Sequence, residues 1–257
     1  MKAVIFAGGL GTRLSEETGI KPKPMVEIGG RPMLWHIMKM YSKAGINDFV
    51  ILLGYKSQVI KEYFANYGLR DSDITYNFQT RTSEVHTNGI EPWRVTLVET
   101  GEDTMTAGRI RRAQKYIGNE TFCLTYGDGL SDLDINSVID FHKKEGATVT
   151  LTAVQPPGRF GTFILKDDQT RLDSFHEKPK GDGSWINGGF FVVEPEIFNY
   201  NLDDTLMWED GPMKDLSAEG KLAAYRYDGY WQNMDTLRDK QKLEEIWQKG
   251  QAPWKTW

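Results

Sequence analysis

Phe6-Ala7-Gly8-Gly9-Leu10-Gly11-Thr12-Arg13-Leu14 joins an apolar run near the start of the chain to a glycine-rich turn, and Lys21-Pro22-Lys23-Pro24 follows it. The apolar run, residues 3–6, is typical of a buried strand. Glycines let a backbone approach an anion closely and direct its N–H groups toward it. Arg13 and Lys23 can add the positive charge that a triphosphate requires. The segment therefore predicts a strand that ends in a phosphate-binding loop.

Two commoner glycine motifs are excluded by the residues that follow this strand. The P-loop of NTPases needs Lys-Ser or Lys-Thr after its glycines, and neither pair is present here. The dinucleotide-binding turn needs a third glycine where this chain has Leu14. An ordinary strand-to-helix turn is the alternative, but such a turn needs neither Arg13 nor a Lys-Pro-Lys-Pro run. We therefore interpret the loop as a third type of phosphate-binding turn.

Composition limits the classes of protein to which the chain can belong. Its 257 residues, 39% of them apolar, suffice for one large domain or two small ones. Basic and acidic residues are balanced, 31 against 36, which argues against a nucleic-acid or membrane-surface binder. The single cysteine, Cys123, cannot form an intrachain disulfide, and no apolar segment approaches the ~20 residues of a membrane span. We expect a cytoplasmic protein with no nucleic-acid and no membrane partner.

Strand and helix patterns alternate in the first half of the chain. Strands are predicted at residues 2–7, 49–53, 74–78, 95–98, 121–126 and 149–154, and helices at 33–44, 57–67, 107–116 and 135–145. This order is typical of α/β proteins with a doubly wound, mostly parallel sheet flanked by helices. Ligands of such sheets bind at the carboxyl ends of the strands, where the glycine loop and Tyr126-Gly127-Asp128-Gly129 both lie.

The second half of the chain has a different pattern. Strands are predicted at residues 161–165, 171–175, 185–193 and 223–227, and a last helix at 236–248. No low-complexity linker separates the halves, so we predict a single domain over residues 1–257. Its parts would be a nucleotide-binding half, a sugar-phosphate-binding half, and a C-terminal helix and tail, at residues 1–155, 156–235 and 236–257. The polar segment 79–92 is interpreted as a loop or as an arm on a neighbouring subunit.

Two acidic residues are candidates for a metal site. Asp128 follows a predicted strand and lies between glycines, where a carboxylate suits magnesium beside phosphates. A turn aspartate is the alternative, since Asp-Gly is a strong turn signal. Asp235 precedes the last helix, and its alternative is a helix N-terminal residue. Magnesium takes one or two protein carboxylates, which this pair would supply if the two residues meet.

The second half contains three candidate sugar-binding features. Lys178, in Glu177-Lys178-Pro179, could hold a monophosphate as a point charge, or it could be a solvated turn residue. Asn187-Gly188-Gly189 lies in an apolar and aromatic stretch, and glycines within a strand often mark close approach by a ligand or another backbone. Asn187 offers donors and an acceptor that suit hydroxyl groups. Glu209 is either a sugar-facing carboxylate or a surface residue.

Covalent catalysis is not indicated by the sequence. The four histidines lack the spacing of metal ligands, and there is no Gly-x-Ser-x-Gly motif. We therefore expect direct displacement at phosphorus, for which positioning and charge neutralisation suffice.

Taken together, these motifs resemble the signature of the sugar-nucleotide pyrophosphorylases, and they span nearly the whole chain. The residues that carry the resemblance, in family order, are Ala7-Gly8-Gly9-Leu10-Gly11-Thr12-Arg13-Leu14, Lys21-Pro22-Lys23-Pro24-Met25, Gly127-Asp128-Gly129, Glu177-Lys178-Pro179 and Asn187-Gly188-Gly189. Longer motifs are similar to the subgroup whose substrates are CTP and glucose 1-phosphate. They are Thr104-Met105-Thr106-Ala107-Gly108-Arg109, Pro156-Pro157-Gly158-Arg159-Phe160-Gly161, Glu177-Lys178-Pro179-Lys180-Gly181-Asp182-Gly183 and Ala252-Pro253-Trp254-Lys255-Thr256-Trp257. Ala107 stands where that subgroup has glycine.

The resemblance implies a Rossmann-like nucleotide-diphospho-sugar transferase fold and a reaction in which the sugar phosphate attacks the α-phosphorus of CTP and releases pyrophosphate. Arg13 and Lys23 would be catalytic, at the β,γ-phosphates and the α-phosphate respectively, and Asp128 and Asp235 would hold Mg²⁺. The residues implied to bind the nucleotide are Ala7, Gly8, Gly9, Leu10, Gly11, Thr12, Arg13, Lys23, Thr104, Arg109 and Gly127. Those implied to bind the sugar phosphate are Glu177, Lys178, Asn187 and Gly188.

The resemblance also implies a homo-oligomer, for which the aromatic tail with Trp247, Trp254 and Trp257 could be an interface anchor. Packing of that tail onto its own domain is the equal alternative. Two alternative functions stay open: the same reaction with dTTP or UTP, and a catalytically silent sugar-nucleotide binder. The joint presence of Arg13 and Lys23 with both aspartates argues against the silent binder.

Overall fold

The computed structural model describes residues 1–70, 72–86, 90–156, 162–167, 170–177 and 184–257. The strands, in chain order, are β1 (Ala3–Ala7), β2 (Glu27–Ile28), β3 (Arg31–Pro32), β4 (Asp48–Leu53), β5 (Ile74–Asn77), β6 (Thr82–Val85), β7 (Arg94–Glu99), β8 (Phe122–Tyr126), β9 (Gly129–Ser131), β10 (Val149–Val154), β11 (Thr162–Leu165), β12 (Leu172–His176), β13 (Ile186–Val193), β14 (Leu222–Tyr227) and β15 (Trp231–Asn233). The α-helices are α1 (Ser15–Thr18), α2 (Met33–Lys43), α3 (Ser57–Ala65), α4 (Tyr67–Arg70), α5 (Thr106–Ile117), α6 (Ile135–Glu145), α7 (Pro212–Ala218) and α8 (Leu237–Gln248).

A seven-stranded sheet in the order β14-β10-β13-β8-β1-β4-β7 forms the centre of the molecule. Strands β8, β1, β4 and β7 are parallel neighbours, as are β10 and β14, whereas β13 runs antiparallel to both β8 and β10. The predicted α/β class with a mostly parallel sheet is therefore confirmed. Because β13 is reversed, its first residues lie beside the last residues of β8, at the edge where the parallel strands end.

Two hydrophobic clusters cover the two faces of this sheet. Successive residues of the fully buried strand β1 point to opposite faces, so that Ala3 and Ile5 belong to one cluster and Val4 and Phe6 to the other. The first cluster includes buried residues of α2 and α6, and the second includes those of α5 and α7. A strand buried on both faces reads as a continuous apolar run, which is why residues 3–6 predicted β1 correctly.

The C-terminal tail packs onto its own domain. Trp254 is completely buried, and its ring stacks on that of Trp247 at a centroid distance of 6.3 Å. The Trp254 Nε1–H donates to His36 Nδ1 at 3.4 Å, and Trp257 lies edge-on to Trp35 at 5.8 Å. Of the two interpretations of this tail, the structure supports own-domain packing for Trp254.

Several local predictions can be compared with the structure. Asp134 caps α6 as expected, since its side chain accepts a hydrogen bond from the Asn136 N–H. The predicted helix at 57–67 is divided into α3 and α4, and the segment 79–92 contains β6, which forms a hairpin with β5. None of the described helices is both long and apolar enough to cross a membrane. The single-domain organisation over 1–257 stays a prediction.

Candidate active site

A cavity of about 410 Å³ opens at the edge where the parallel strands of the sheet end. Its wall combines the end of β1 and its glycine loop, the pair Lys23-Pro24, the end of β8 with the two residues after it, and two residues from later in the chain. The residues that line it are Phe6, Ala7, Gly9, Gly11, Thr12, Lys23, Pro24, Tyr126, Gly127, Asp128, Met207 and Asp235. The structure thus brings together most of the predicted loop, the catalytic candidate Lys23 and both metal candidates. A crevice at the carboxyl ends of the strands is where open α/β sheets bind their ligands.

The glycine loop turns back on itself directly after β1. The Leu14 N–H donates to the Gly11 carbonyl at 3.0 Å, which closes a 3₁₀ turn over Thr12–Leu14. The Thr18 hydroxyl donates to the same carbonyl at 3.1 Å. Gly11 has a φ of +63°, a conformation that glycine adopts readily and other residues rarely do. The side chain of Arg13 lies outside the described part of the structure, so its catalytic role stays a prediction.

Arg109 holds the glycine loop in place through hydrogen bonds to backbone carbonyls. Its Nη2 donates to the carbonyls of Gly8 and Glu102, at 3.0 and 3.1 Å. Its Nη1 donates to the carbonyls of Leu53 and Gly101 and to the Thr100 hydroxyl, at 3.0, 2.8 and 2.7 Å respectively. The guanidinium therefore ties the loop after β1 to the segments that follow β4 and β7.

Gly8 is required by this arrangement, because a Cβ at that position would lie 2.2 Å from Arg109 Nη1. Arg109 is only 4% exposed. The nucleotide contact expected of Arg109 stays a prediction, and what the structure shows is a positioning role. Thr104, also expected to bind the nucleotide, is buried two residues before α5, and Leu10 is 56% exposed.

Lys23 joins the two aspartates. Its Nζ donates to Asp128 Oδ2 at 2.7 Å and makes a short hydrogen bond with Asp235 Oδ1. Burial acts to lower the pKa of the Lys23 ammonium, but the charges and hydrogen bonds of Asp128 and Asp235 outweigh it and raise that pKa above its usual value. The three side chains are 14%, 28% and 26% exposed respectively, so the cluster is sheltered but reachable from the cavity.

A short strand pair explains why two aspartates far apart in sequence meet. Strands β9 and β15 run antiparallel, with Gly129 opposite Asn233. The ladder is extended by the Met234 N–H, which donates to the Asp128 carbonyl at 2.9 Å. The carboxylate of Asp235 is further held by the Asn233 side-chain amide, which donates to Oδ2 at 2.6 Å. Three-residue strands carry no clear periodicity, so the sequence did not predict this pairing.

The residues expected to bind the sugar phosphate lie at the neighbouring strands. Asn187 and Gly188 are at the start of β13, and the Gly188 carbonyl accepts a hydrogen bond from Trp231 Nε1 at 2.8 Å. Glu177 is exposed directly after β12. Lys178 lies outside the described residues.

Four cavity residues, Phe6, Pro24, Tyr126 and Met207, were not among the predicted site residues. Tyr126 ends β8, where an aromatic residue in an apolar run is typical of core packing, and Met207 lies in an irregular segment. The Tyr126 hydroxyl donates to Glu209, which is half-buried. Whether that carboxylate faces the sugar stays a prediction.

A second, larger depression of about 760 Å³ lies at the opposite edge of the sheet. It is lined by residues that precede β10 and β14 or follow β13, including Thr148, Lys221 and Glu194. Lys221 is paired with Glu219 at 2.6 Å, and the other charged residues of the wall are acidic. This wall has none of the phosphate-binding features of the first cavity.

Comparison with known proteins agrees with this geometry. The model of the "Nucleotidyl transferase" family matches residues 2–236. The chain belongs to this family. Within it, the chain is 58% identical to the glucose-1-phosphate cytidylyltransferases of Salmonella typhimurium and Salmonella typhi, in each case over 258 residues and the full length of both proteins. A solved UDP-glucose pyrophosphorylase in complex with UDP-glucose has the same fold, with a TM-score of 0.67 at 17% identity, covering 97% of this chain and 99% of that one.

Proposed function

We propose that this nucleotidyl transferase moves a cytidylyl group from CTP to α-D-glucose 1-phosphate, giving CDP-glucose and pyrophosphate. The observation that carries the proposal is the convergence of Lys23, Asp128 and Asp235 on a cavity closed by a glycine loop. The choice of CTP and glucose 1-phosphate rests on the 58% identity to the Salmonella enzymes over the full length of the chain.

In the proposed reaction, an oxygen of glucose 1-phosphate attacks the α-phosphorus of CTP. A new P–O bond forms, the bond from the α-phosphorus to the β-phosphate bridging oxygen breaks, and pyrophosphate leaves with that electron pair. Catalysis of such a step depends on positioning and on neutralising the charge of the phosphoryl oxygens. Lys23 supplies an ammonium within the cavity for the α-phosphate, and we assign Arg13 to the β,γ-phosphates that leave.

The nucleotide is held, in this proposal, mainly by backbone. Ala7, Gly9, Gly11, Thr12 and Gly127 line the cavity, and N–H groups of such a loop can surround phosphates without the bulk of side chains. Gly8, Leu10, Thr104 and Arg109 complete the nucleotide side, the last by holding the loop in place.

Asp128 and Asp235 fit a magnesium ion. Both carboxylates already reach the same ammonium nitrogen, so they converge on one point, and they offer the oxygen ligands that Mg²⁺ prefers. Among the described residues no group of three or more His, Cys, Asp or Glu side chains is arranged to hold a metal, and Mg²⁺ is commonly bound through one or two carboxylates. When bound, Mg²⁺ would supply positive charge that orients the triphosphate and offsets the charge of the reacting oxygens.

On the sugar side, we assign Glu177, Asn187 and Gly188 to the glucosyl hydroxyls and Lys178 to the phosphate. We also propose that the enzyme is a cytoplasmic homo-oligomer. The hairpin of β5 and β6 supports assembly, since Phe78 beside it is 87% exposed and stacks on Tyr76, which is 56% exposed. Light scattering of the wild type and of Phe78→Ser tests that assignment, which predicts a smaller particle for the variant.

The experiment that tests the function is an assay for pyrophosphate and CDP-glucose with purified protein, CTP, glucose 1-phosphate and Mg²⁺. Formation of both products in equal amounts is expected. Arg13→Ala should lower turnover by about 10³-fold or more, by analogy with arginines that stabilise phosphoryl-transfer transition states. Binding of CDP-glucose without any turnover would instead identify a silent sugar-nucleotide binder.

A further inference from the structure

The short helix α1 lies between the glycine loop and Lys23. Its last residue, Thr18, is 3% exposed, and the Thr18 hydroxyl lies within hydrogen-bond distance of two carbonyls, those of Gly11 at 3.1 Å and Leu14 at 3.0 Å. Leu14 is completely buried in the first hydrophobic cluster. The part of the loop that lines the cavity, at Gly11 and Thr12, is therefore bound to α1.

Glu17, the third residue of α1, lies where the chain turns toward Lys23. Its carbonyl accepts hydrogen bonds from the N–H groups of Ile20 and Lys21, at 3.2 and 3.4 Å. The loop and the catalytic lysine are also in contact, since a Cβ at Gly11 would lie 3.2 Å from Lys23 Cβ. A displacement of Glu17 would therefore move both the glycine loop and the segment that leads to Lys23.

The side chain of Glu17 is bound by a residue 223 positions later in the chain. Lys240 Nζ forms an ion pair and a short hydrogen bond with Glu17 Oε1. The Lys240 and Glu17 side chains are 25% and 23% exposed respectively, so water screens this pair less than it screens a surface ion pair.

Lys240 belongs to the first turn of α8, the helix that begins two residues after Asp235. Its N–H donates to the Thr236 carbonyl at 3.1 Å. Asp239, the preceding residue, accepts hydrogen bonds from the N–H groups of Asp235 and Thr236 with the same carboxylate oxygen, at 3.2 and 2.9 Å. One helical turn thus holds the backbone of a proposed metal ligand and, through Lys240, the segment that carries the glycine loop.

We infer that Glu17 and Lys240 are positioning residues for the nucleotide: their ion pair fixes the loop that carries Thr12 and Arg13 relative to the metal site at the start of α8. This inference rests on the proposed function, since it assigns the loop to CTP and Asp235 to Mg²⁺. A triphosphate must meet the loop and the metal together, and a misplacement of about 1 Å can cost about 10²-fold in rate.

A direct contact between Lys240 and the triphosphate is the competing explanation, and two single variants distinguish it from positioning. If the ion pair positions the loop, Lys240→Met and Glu17→Gln should each lower kcat/KM for CTP by about tenfold, while the KM for glucose 1-phosphate stays within about twofold of the wild type. If Lys240 binds phosphate itself, Glu17→Gln would release its ammonium and leave kcat/KM for CTP unchanged or higher.

A double-mutant cycle tests whether the two residues act as one unit. In that case, the variant with both Glu17→Gln and Lys240→Met should have a kcat/KM for CTP within about twofold of either single variant. Lys240→Arg keeps the ion pair and should stay within about threefold of the wild type. Glu17→Gln, which is isosteric, supplies the kinetic test if Lys240→Met folds poorly.

The matched control for a loss of stability alone is Lys39→Met. Lys39 is paired with Glu91 at 3.5 Å, the two side chains are 21% and 19% exposed, and neither residue lines the cavity. Lys39→Met should lower the free energy of unfolding in urea about as much as Lys240→Met does, yet leave kcat/KM for CTP within about twofold of the wild type.

Two results would overturn the inference: a kcat/KM for CTP that is unchanged or higher in Glu17→Gln, or additive losses in the double variant. Failure of the proposed function looks different, because the wild type itself would then make no CDP-glucose.

Discussion

Lys23 and Asp128 are joined by a 2.7 Å hydrogen bond between residues 105 positions apart, and the same ammonium bridges to Asp235. A cation thus already sits between the two carboxylates that we assign to Mg²⁺. The ammonium and a divalent cation compete for the same oxygens. The site can therefore be tested by measuring metal affinity as well as substrate turnover.

Replacing Lys23 should separate metal binding from catalysis. In Lys23→Met the carboxylates lose their internal cation, so we expect Mg²⁺ or Mn²⁺ to bind the nucleotide-free protein about tenfold more tightly or better. Turnover should fall by about 10²-fold or more, because the α-phosphate loses its ammonium. Titration calorimetry measures the first effect and pyrophosphate release the second.

Lys21→Met is the matched control, because Lys21 lies in the same Lys-Pro-Lys-Pro run but is paired with Glu27, at 3.7 Å. It should leave metal affinity unchanged. Weaker metal binding in Lys23→Met than in the wild type would contradict the competition between ammonium and metal.

Neutralising either aspartate should raise the magnesium requirement. Asp128→Asn and Asp235→Asn each remove one anionic ligand, and we expect the Mg²⁺ concentration at half-maximal activity to rise about tenfold or more. Asp132→Asn is a useful comparison, since Asp132 accepts hydrogen bonds from Tyr227 and the Tyr230 N–H instead. An unchanged magnesium dependence in Asp128→Asn would remove that residue from the metal site.

We expect Arg109 to contribute mainly to the stability of the fold, and only through it to CTP binding. A lysine cannot serve four carbonyls and a hydroxyl with one ammonium, so Arg109→Lys leaves buried acceptors without donors. We expect the free energy of unfolding, measured in urea, to fall by about 2 kcal/mol or more, and the KM for CTP to rise as the glycine loop loosens.

Arg111→Lys, on the exposed face of the same helix, should change the stability by less than about 0.5 kcal/mol. A loss of CTP affinity in Arg109→Lys without any loss of stability would show that Arg109 contacts the nucleotide directly.

The lowered pKa of the buried His36 predicts that the free energy of unfolding depends on pH. Burial lowers its pKa to about 4, and the ring is neutral, with Nε2–H donating to the Ile28 carbonyl at 2.9 Å and Nδ1 accepting from Trp254. In the unfolded chain its pKa is about 6.5. As pH falls below 6.5 only the unfolded state gains the proton, so the free energy of unfolding should decrease by about 3 kcal/mol between pH 6.5 and 4.

Urea unfolding across this pH range checks the prediction. His36→Gln should be less stable at neutral pH but lack this part of the decline, whereas the exposed His86→Gln should keep it. An identical decline in His36→Gln would mean that another group causes it.

The sequence predicted the parts of this molecule whose signal is local. The apolar run of β1, the glycines after it and the alternation of strands and helices identify the fold and one edge of the sheet. The direction of β13 could not be predicted, because a buried strand has the same apolar pattern whether it is parallel or antiparallel. That direction is what brings the start of β13, with Gly189, against Tyr126 at the end of β8.

Contacts between distant segments could not be predicted from the sequence either. The resemblance implies a nucleotide contact for Arg109, yet its guanidinium is surrounded by carbonyls from three separate segments. Likewise, the local sequence around Asp128 and Asp235 fits a turn or helix-cap residue as well as it fits a metal ligand. Only the pairing of β9 with β15 decides that they meet.

The most direct test of the proposed function is the ratio of kcat/KM for CTP to that for UTP and dTTP, measured with glucose 1-phosphate and Mg²⁺. We predict that CTP is preferred by about tenfold or more over each and that CDP-glucose accumulates with pyrophosphate. Equal or greater kcat/KM with UTP or dTTP would contradict the cytidylyl assignment.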